Sequence, residues 1–310
     1  MQEIITDRTD FTAWSNLLHQ AITTPGLLSE AYSFYHSYSL SNQLMAIVQC
    51  AVRKIEAGPI ATYPAWKERG RQVKRGERAL TLCMPISVKS KEREGEHFTK
   101  FVLKRNWFAL SQTEGEPIEP APTPAWSKKQ ALSRLNITEI PFDKPDGNCQ
   151  GFARQRSIAI SPLAVMPYKT TFHEIAHVAI GHTLENDFTD LELTPRNLRE
   201  VEAESVALLV CDALQLPGTE YCRGYIQHWI GGGGEIPAES AQKIFKAADQ
   251  ILKAGQVITI SKPIDLRAES NQLAPSDVEE YHDWLNKLES QDDLELEESY
   301  FISAAAQKGT

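Results

Sequence analysis

The chain has 310 residues, 42% of them hydrophobic and 24% charged, with 17 glycines and 17 prolines. That composition excludes collagen-like, low-complexity and wholly disordered classes, and the length suits about two domains that each bury a core. No apolar run approaches the roughly 20 residues of a membrane span, and the opening Met1-Gln2-Glu3-Ile4-Ile5-Thr6-Asp7 lacks the apolar stretch of a signal peptide, so a cytoplasmic protein with no membrane partner is expected.

Five scattered cysteines, none paired as CxxC, fit a reducing compartment and argue against a disulfide scaffold or a Cys-rich zinc site. The net charge of −9 conceals an asymmetry. Residues 1–110 balance at +5, Arg53–Arg105 alone at +8, and the remaining 200 residues at −14. The first part can therefore meet a polyanion, although a solvated basic face without a ligand would carry the same charge.

In chain order, Asp10–Ala21 opens with a capping residue and helical apolar spacing, and Ser39–Gln49 is a second helix with Leu44, Ile47 and Val48 on one side. Short β-rich runs at Ala79–Met84 and His97–Leu103 flank a charged loop at Lys89–Glu96. Residues 1–113 thus read as an α+β domain. Four prolines within Glu114–Pro124 can continue neither a helix nor a central strand, so 114–126 is read as an extended linker. Beyond it, Ser127–Leu135 is helical, Ser157–Ile160 is a strand, and helices cover about Lys169–His182, Pro195–Leu214 and Pro237–Ala254. Residues 127–255 form a mainly helical domain with a small sheet. From 256 to 310 the signals weaken; Ser276–Leu288 is helix-compatible and Gln291–Ser299 is an acidic stretch.

The strongest chemical signal is His173-Glu174-Ile175-Ala176-His177. On a helix the two histidines project from one face, where both imidazoles can reach a Zn²⁺, and Glu174 is placed as a general base toward water. By chance the pattern arises in roughly 2% of chains of this composition, so a coincidental surface helix is the weaker reading. A third ligand comes from Arg199-Glu200-Val201-Glu202-Ala203-Glu204. Glu200 and Glu204 share a helix face, and Glu202, rotated by roughly 160–200° from both, is read as solvent-exposed. Glu200-x-x-Ala203-Glu204 resembles the Glu-x-x-Ala-Asp pattern of several zinc peptidases. That resemblance assigns Glu200 to the metal and Glu204 to the N–H of a ligating imidazole; the reversed assignment is the alternative. A His₂Glu zinc site with an open position suits peptide hydrolysis, with Glu174 moving the proton from water to the leaving amine. Tyr168, Tyr221, Tyr225 and His228 are candidates for stabilising the oxyanion. His182 is read as capping the helix C-terminus, and Gly231–Gly234 as a flexible turn or lid.

In the first part, aromatic residues interleave with basic ones from Tyr63 and Trp66 through Arg71, Lys74 and Arg75 to Lys104, Arg105 and Trp107. That combination suits single-stranded nucleic acid, although a basic domain with its rings in the core reads the same way. Ser39-Leu-Ser-Asn42-Gln43-Leu, Trp66-Lys-Glu-Arg-Gly70-Arg71-Gln-Val73-Lys74-Arg75-Gly76-Glu77 and Phe108-Ala-Leu-Ser-Gln112-Thr113-Glu114-Gly115 resemble the N-terminal domain of the ArdC antirestriction family, and the His173–His177 and Glu200–Glu204 motifs are similar to the zincin-like metallopeptidase domain that follows it there. The resemblance spans about residues 8–255. It implies a plasmid-borne protein that binds single-stranded DNA, with double-stranded DNA as a further partner, and that protects incoming DNA from host restriction. It further implies Asn42, Gln43, Trp66, Arg71, Lys74, Arg75 and Lys104 as DNA-binding positions. Arg75 departs from a frequent Lys and keeps the charge. The rival readings are a regulatory peptidase cutting a restriction-system component or another DNA-associated protein, and a DNA-coating protein with structural zinc.

Overall fold

The computed structural model describes residues 14–89, 97–144, 149–184 and 195–257; the expectations for 276–288 and 291–299 fall outside these. Three helices open it, α1 (Trp14–Thr23), α2 (Leu27–Tyr35) and α3 (Leu40–Arg53). A mixed segment follows, with β1 (Ile60–Thr62), α4 (Tyr63–Glu68), β2 (Arg71–Val73), β3 (Leu80–Lys89), β4 (His97–Ala109) and β5 (Thr113–Gly115). Pro64 sits in the first turn of α4, where its missing N–H costs nothing. Strands β1, β4 and β3 form an antiparallel sheet in that order, and β2 pairs with β5. The β3–β4 hairpin is longer than expected, pairing from Leu80 opposite Trp107 to Lys89 opposite His97.

After the proline run come α5 (Lys128–Arg134), β6 (Thr138–Glu139), β7 (Gly151–Arg154), β8 (Ser157–Ile160), α6 (Pro167–Ile180), α7 (Arg196–Ala213), α8 (Thr219–Gly231) and α9 (Ala238–Gly255). Strand β8 lies between β6, to which it is parallel, and β7, to which it is antiparallel, leaving β7 at the sheet edge. Helix α6 begins on Pro167 and stops at Gly181, whose φ of 94° only glycine adopts without strain. The residues after Gly231 form a turn, one of the two readings of that stretch. They close the last turn of α8 through Gly232 N to His228 O and Gly234 N to Trp229 O. The class is α+β, with helices dominating the later residues.

Helix α7 is the centre of the molecule. Every residue from Val201 to Ala213 is buried, and α2, α6, α8 and α9 all pack on it. The run Val206-Ala-Leu-Leu-Val210 is apolar all round, the pattern of a helix enclosed on every side. At about 1.5–3 kcal/mol for each fully buried Val or Leu, this stretch is a principal source of stability.

The opening helices belong to the same core. Leu18, Leu28 and Leu44 cluster with Phe172, Leu208 and Ile251. The N-termini of α2 and α3 lack side-chain caps of their own and borrow them from distant helices. Asp212 on α7 accepts from Gly26 N at 3.2 Å and Leu28 N at 3.1 Å, and Asp249 on α9 accepts from Leu40 N at 3.1 Å. Arg223 on α8 donates to the Ile22 carbonyl, with its Nη2 3.9 Å from Asp212. Trp126 seals the end of the proline run, donating to Ile251 O at 3.1 Å and meeting Phe172 edge-on at 5.0 Å. A side chain at Gly255 would clash with that indole, since a Cβ there would lie 2.0 Å from Nε1.

Asp212→Ala removes two cap bonds from α2 and leaves Arg223 without its carboxylate. The expected cost is about 2–3 kcal/mol, read as a lower urea midpoint with metal content unchanged. A midpoint equal to wild type would show that these caps do not hold α2.

Candidate metal centre

Helix α6 presents His173, Glu174 and His177, and the first turns of α7 present Glu200, Glu202 and Glu204. The Nε2 atoms of His173 and His177 lie 3.1 Å apart, and Glu200 Oε2 is 3.4 Å from the first and 3.7 Å from the second. Tetrahedral zinc with bonds of about 2.0–2.1 Å separates its donors by about 3.3 Å, so these three atoms fit one ion. One ligand atom from each residue lies within 4.8 Å of the others, and no other such cluster exists among the described residues.

Each imidazole is held from behind. His173 Nδ1 lies 2.8 Å from Glu204 Oε2, and Lys169 Nζ is 2.7 Å from the other oxygen of that carboxylate. His177 Nδ1 lies 3.0 Å from His182 Nδ1, and His182 Nε2 is 2.7 Å from Glu202 Oε2. With both ligand Nε2 atoms turned inward, the network settles the tautomers. His173 donates from Nδ1 to Glu204, while His177 donates from Nδ1 to His182, which donates from Nε2 to Glu202.

Two sequence readings are corrected here. Glu202 is 0% exposed, not solvated, because α7 is enclosed on every side. His182 is the neighbour that orients His177, and not merely a helix cap. The signal available for both was the apolar run after Glu204, which announces a helix without a solvent face.

The electrostatics follow from crowding. Burial pulls His173 down, but its hydrogen bonds to Glu200 and Glu204 outweigh this and raise its pKa to about 9. Hydrogen bonds to His173 and His177 hold the Glu200 carboxyl well below its ordinary range. Burial pushes the Glu174 carboxyl up, against the attraction of both histidines. Glu174 is wedged against β7, where a Cβ on Gly151 would lie 3.1 Å from Glu174 Cγ and 2.8 Å from Thr170 Cγ2. Edge strand β7 and the two metal-binding helices enclose a cleft of about 540 Å³. Of the candidate oxyanion donors, Tyr225 on α8 feels the Glu200 and Glu204 charges, and burial as well as these charges raises its pKa. Tyr168 packs instead on Trp126 and Phe172.

The DNA-binding positions expected in the first part divide by burial. Trp66 is 0% exposed and donates from Nε1 to Phe108 O at 2.9 Å, so no base can stack on it. Asn42 is buried and pairs with both backbone groups of Cys83 at 2.8 Å, and buried Gln43 donates to Tyr38 O at 3.0 Å. These three are structural, a correction that follows from their burial and from the hydrogen bonds they make within the fold. Arg71 is half-buried and donates to Thr113 Oγ1, Thr113 O, Gly115 O and Glu116 O, fastening β2 to β5. Lys74 is exposed and reaches Ser111 O at 2.8 Å. Arg75 and Lys104 are exposed. Residues the sequence reading passed over are Phe101, 67% exposed, and Leu103, which share one face of β4 with exposed Arg105.

Glu202→Gln keeps the shape but weakens the hold on His182 and thus on His177. Zinc affinity measured by chelator competition is expected to fall about 10–100-fold. Unchanged affinity would show that the His182–Glu202 pair does not orient His177.

Residues 2–116 match the family described as the N-terminal domain of the anti-restriction factor ArdC. No curated protein matches the chain. Two crystal structures of the antirestriction ArdC protein from the R388 plasmid are similar to it. The Mn(II)-bound structure is 18% identical, with 78% of this chain and 97% of that chain covered and a TM-score of 0.48. The metal-free structure is 20% identical, with 78% and 94% covered and a TM-score of 0.47. Residues 2–116 are thus an ArdC N-terminal domain.

Proposed function

We propose that the protein is an antirestriction factor of a conjugative plasmid or mobile element. In this reading residues 1–113 bind single-stranded DNA, 114–126 link them to a zinc metallopeptidase-like unit at 127–255, and 256–310 form an acidic extension. The observation that carries it is the convergence of His173, His177 and Glu200 beside buried Glu174, in a chain that opens with an ArdC domain.

The chemistry is amide hydrolysis. Zinc held by the three donors would polarise the scissile carbonyl and make water a better nucleophile. Glu174 takes the proton as the water oxygen bonds to the carbonyl carbon, then delivers it to nitrogen as the C–N bond breaks. Its upward-shifted pKa suits both tasks, since a base that must return its proton works best near neutrality. Tyr225 donates its phenolic hydrogen to the developing oxyanion. Glu204 and the His182–Glu202 pair keep both imidazoles aimed throughout.

DNA binding rests on the exposed face of β4. Phe101 offers a ring for a base and Arg105 on the same face a cation for phosphate, while exposed Lys104 on the other face of the strand and exposed Lys74 and Arg75 add cations. A duplex hides its base faces, so single strands are the favoured partner of such a surface.

Glu174→Gln is expected to retain zinc and DNA binding while losing at least about a hundredfold in hydrolysis of a peptide substrate, and Tyr225→Phe about ten- to a hundredfold. Unchanged hydrolysis in Glu174→Gln would remove it as the base. A plasmid-protection assay with the same variant separates the two activities, because full protection without hydrolysis assigns protection to DNA binding alone.

Phe101→Ala combined with Lys104→Ala should weaken binding to a single-stranded oligonucleotide about tenfold and reduce its salt slope by about 0.7. An unaltered slope in a filter-binding titration would reject Lys104 as a phosphate contact.

A further inference from the structure

Six arginines after the proline run lie among the described residues, and they fall into two groups. Arg134 donates to the Ala254 and Gln256 carbonyls at 3.0 and 2.9 Å. Arg156 holds the Leu135 and Asn136 carbonyls, and Arg223 the Ile22 carbonyl beside Asp212. These three are tethers within the fold. The guanidiniums of Arg154, Arg196 and Arg199 have no hydrogen bond or ion pair among the described residues, and all three residues line the cleft that contains His173, Glu174 and Glu200. The Nε of Arg199 is buried without an acceptor.

The acids of the site do not neutralise them. Glu204 is matched by Lys169 and His173, Glu202 by His182, and Glu200 lies against the two ligand histidines. The residues after 110 carry a balance of −14, so a cleft gathering three guanidiniums without a partner among the described residues runs against its surroundings. Guanidinium is the side chain best shaped to take a carboxylate through two parallel bonds. Edge strand β7, Gly151–Arg154, runs along the same cleft and pairs only with β8, so its outer backbone groups are open to an added strand. A polypeptide backbone can add to that edge in register; a nucleic-acid backbone cannot.

Resting on the peptidase-like reading of this site, we propose that the cleft selects an extended polypeptide with acidic side chains close to the scissile bond. Arg154, Arg196 and Arg199 are the residues that determine this specificity. Arg154 stands at the end of the edge strand, and Arg196 and Arg199 in the first turn of α7, immediately before Glu200.

The test uses the full chain loaded with zinc and carrying Glu174→Gln, so that binding is read without turnover. Two labelled peptides are compared by fluorescence anisotropy, one alternating Glu and Ala, the other with Gln for every Glu. The acidic peptide should bind at least about tenfold more tightly, and added salt should erode the difference. In Arg154→Gln with Arg196→Gln, both exposed positions, the ratio should fall towards one; Arg199→Lys, which keeps charge but loses the fork, should give an intermediate ratio. Equal affinity for the two peptides in the parent protein, or a preference that survives the arginine changes, overturns the proposal. An unlabelled single-stranded oligonucleotide that displaces the acidic peptide more effectively than the peptide itself, with the same arginine dependence, also overturns it by making nucleic acid the occupant. If the preference and its arginine dependence hold but the Glu174-intact protein cleaves neither peptide, recognition stands and the hydrolytic reading falls.

Discussion

Over Val201–Ala213 helix α7 is enclosed on every side and can carry acids only where each one meets a partner; it carries three there, with half-exposed Glu200 one residue before. An isolated carboxylate taken into such surroundings would cost several kcal/mol, so each partner is a condition of the fold. Glu200 is held by the two ligand histidines, Glu202 by His182, Glu204 by His173 and Lys169, and Asp212 by the N-terminus of α2 with Arg223 alongside. The first three build the candidate metal centre and the fourth anchors the opening helices. One buried helix therefore carries both the chemistry and the attachment of the N-terminal part, and its polar residues are what make α7 specific for one arrangement of neighbours.

The legible part of this was periodic. Two histidines four residues apart, with a glutamate between them, define a helix face whatever surrounds it, and the Glu200–Glu204 pair is read the same way. The illegible part was burial. Placing Glu202 by rotation alone assumes that the side away from the metal is water, whereas α2, α6, α8 and α9 pack around α7 and leave buried Glu202 to find His182. Helix α8 and strand β7 went unread for related reasons. Gly151–Arg154 is too short and too plain to signal a strand, and its position comes from pairing with β8 and packing against α6.

In the N-terminal part, charge and aromatic content pointed to a polyanion surface without telling which rings face it. Trp66 is as aromatic as Phe101, yet one is sealed by its bond to Phe108 O and the other stands in solvent. Asn42 and Gln43 look like contact residues because they are polar and belong to a motif; in the fold they splice α3 to β3 and to the turn before it. An extended stretch without helix or strand over 117–125 was legible from its prolines. What the prolines could not reveal is that chain on both sides of them packs into one core, because the bonds responsible join residues some two hundred positions apart.

That shared core bears on what happens when metal is absent. Glu200 and Glu204 converge on His173, and their hydrogen bonds outweigh the effect of burial to keep its pKa at about 9. That upward shift favours the imidazolium in the metal-free chain, where a proton takes the place of the positive charge an ion would bring. Metal must displace that proton to bind, since a ligand imidazole has to be neutral. The carboxylates on α7 thus face a cation in either state, so α6 and α7 keep an electrostatic reason to stay together. Because Asp212 lies two turns beyond Glu204 on the same helix, the capped end of α2 and the candidate metal centre share one frame.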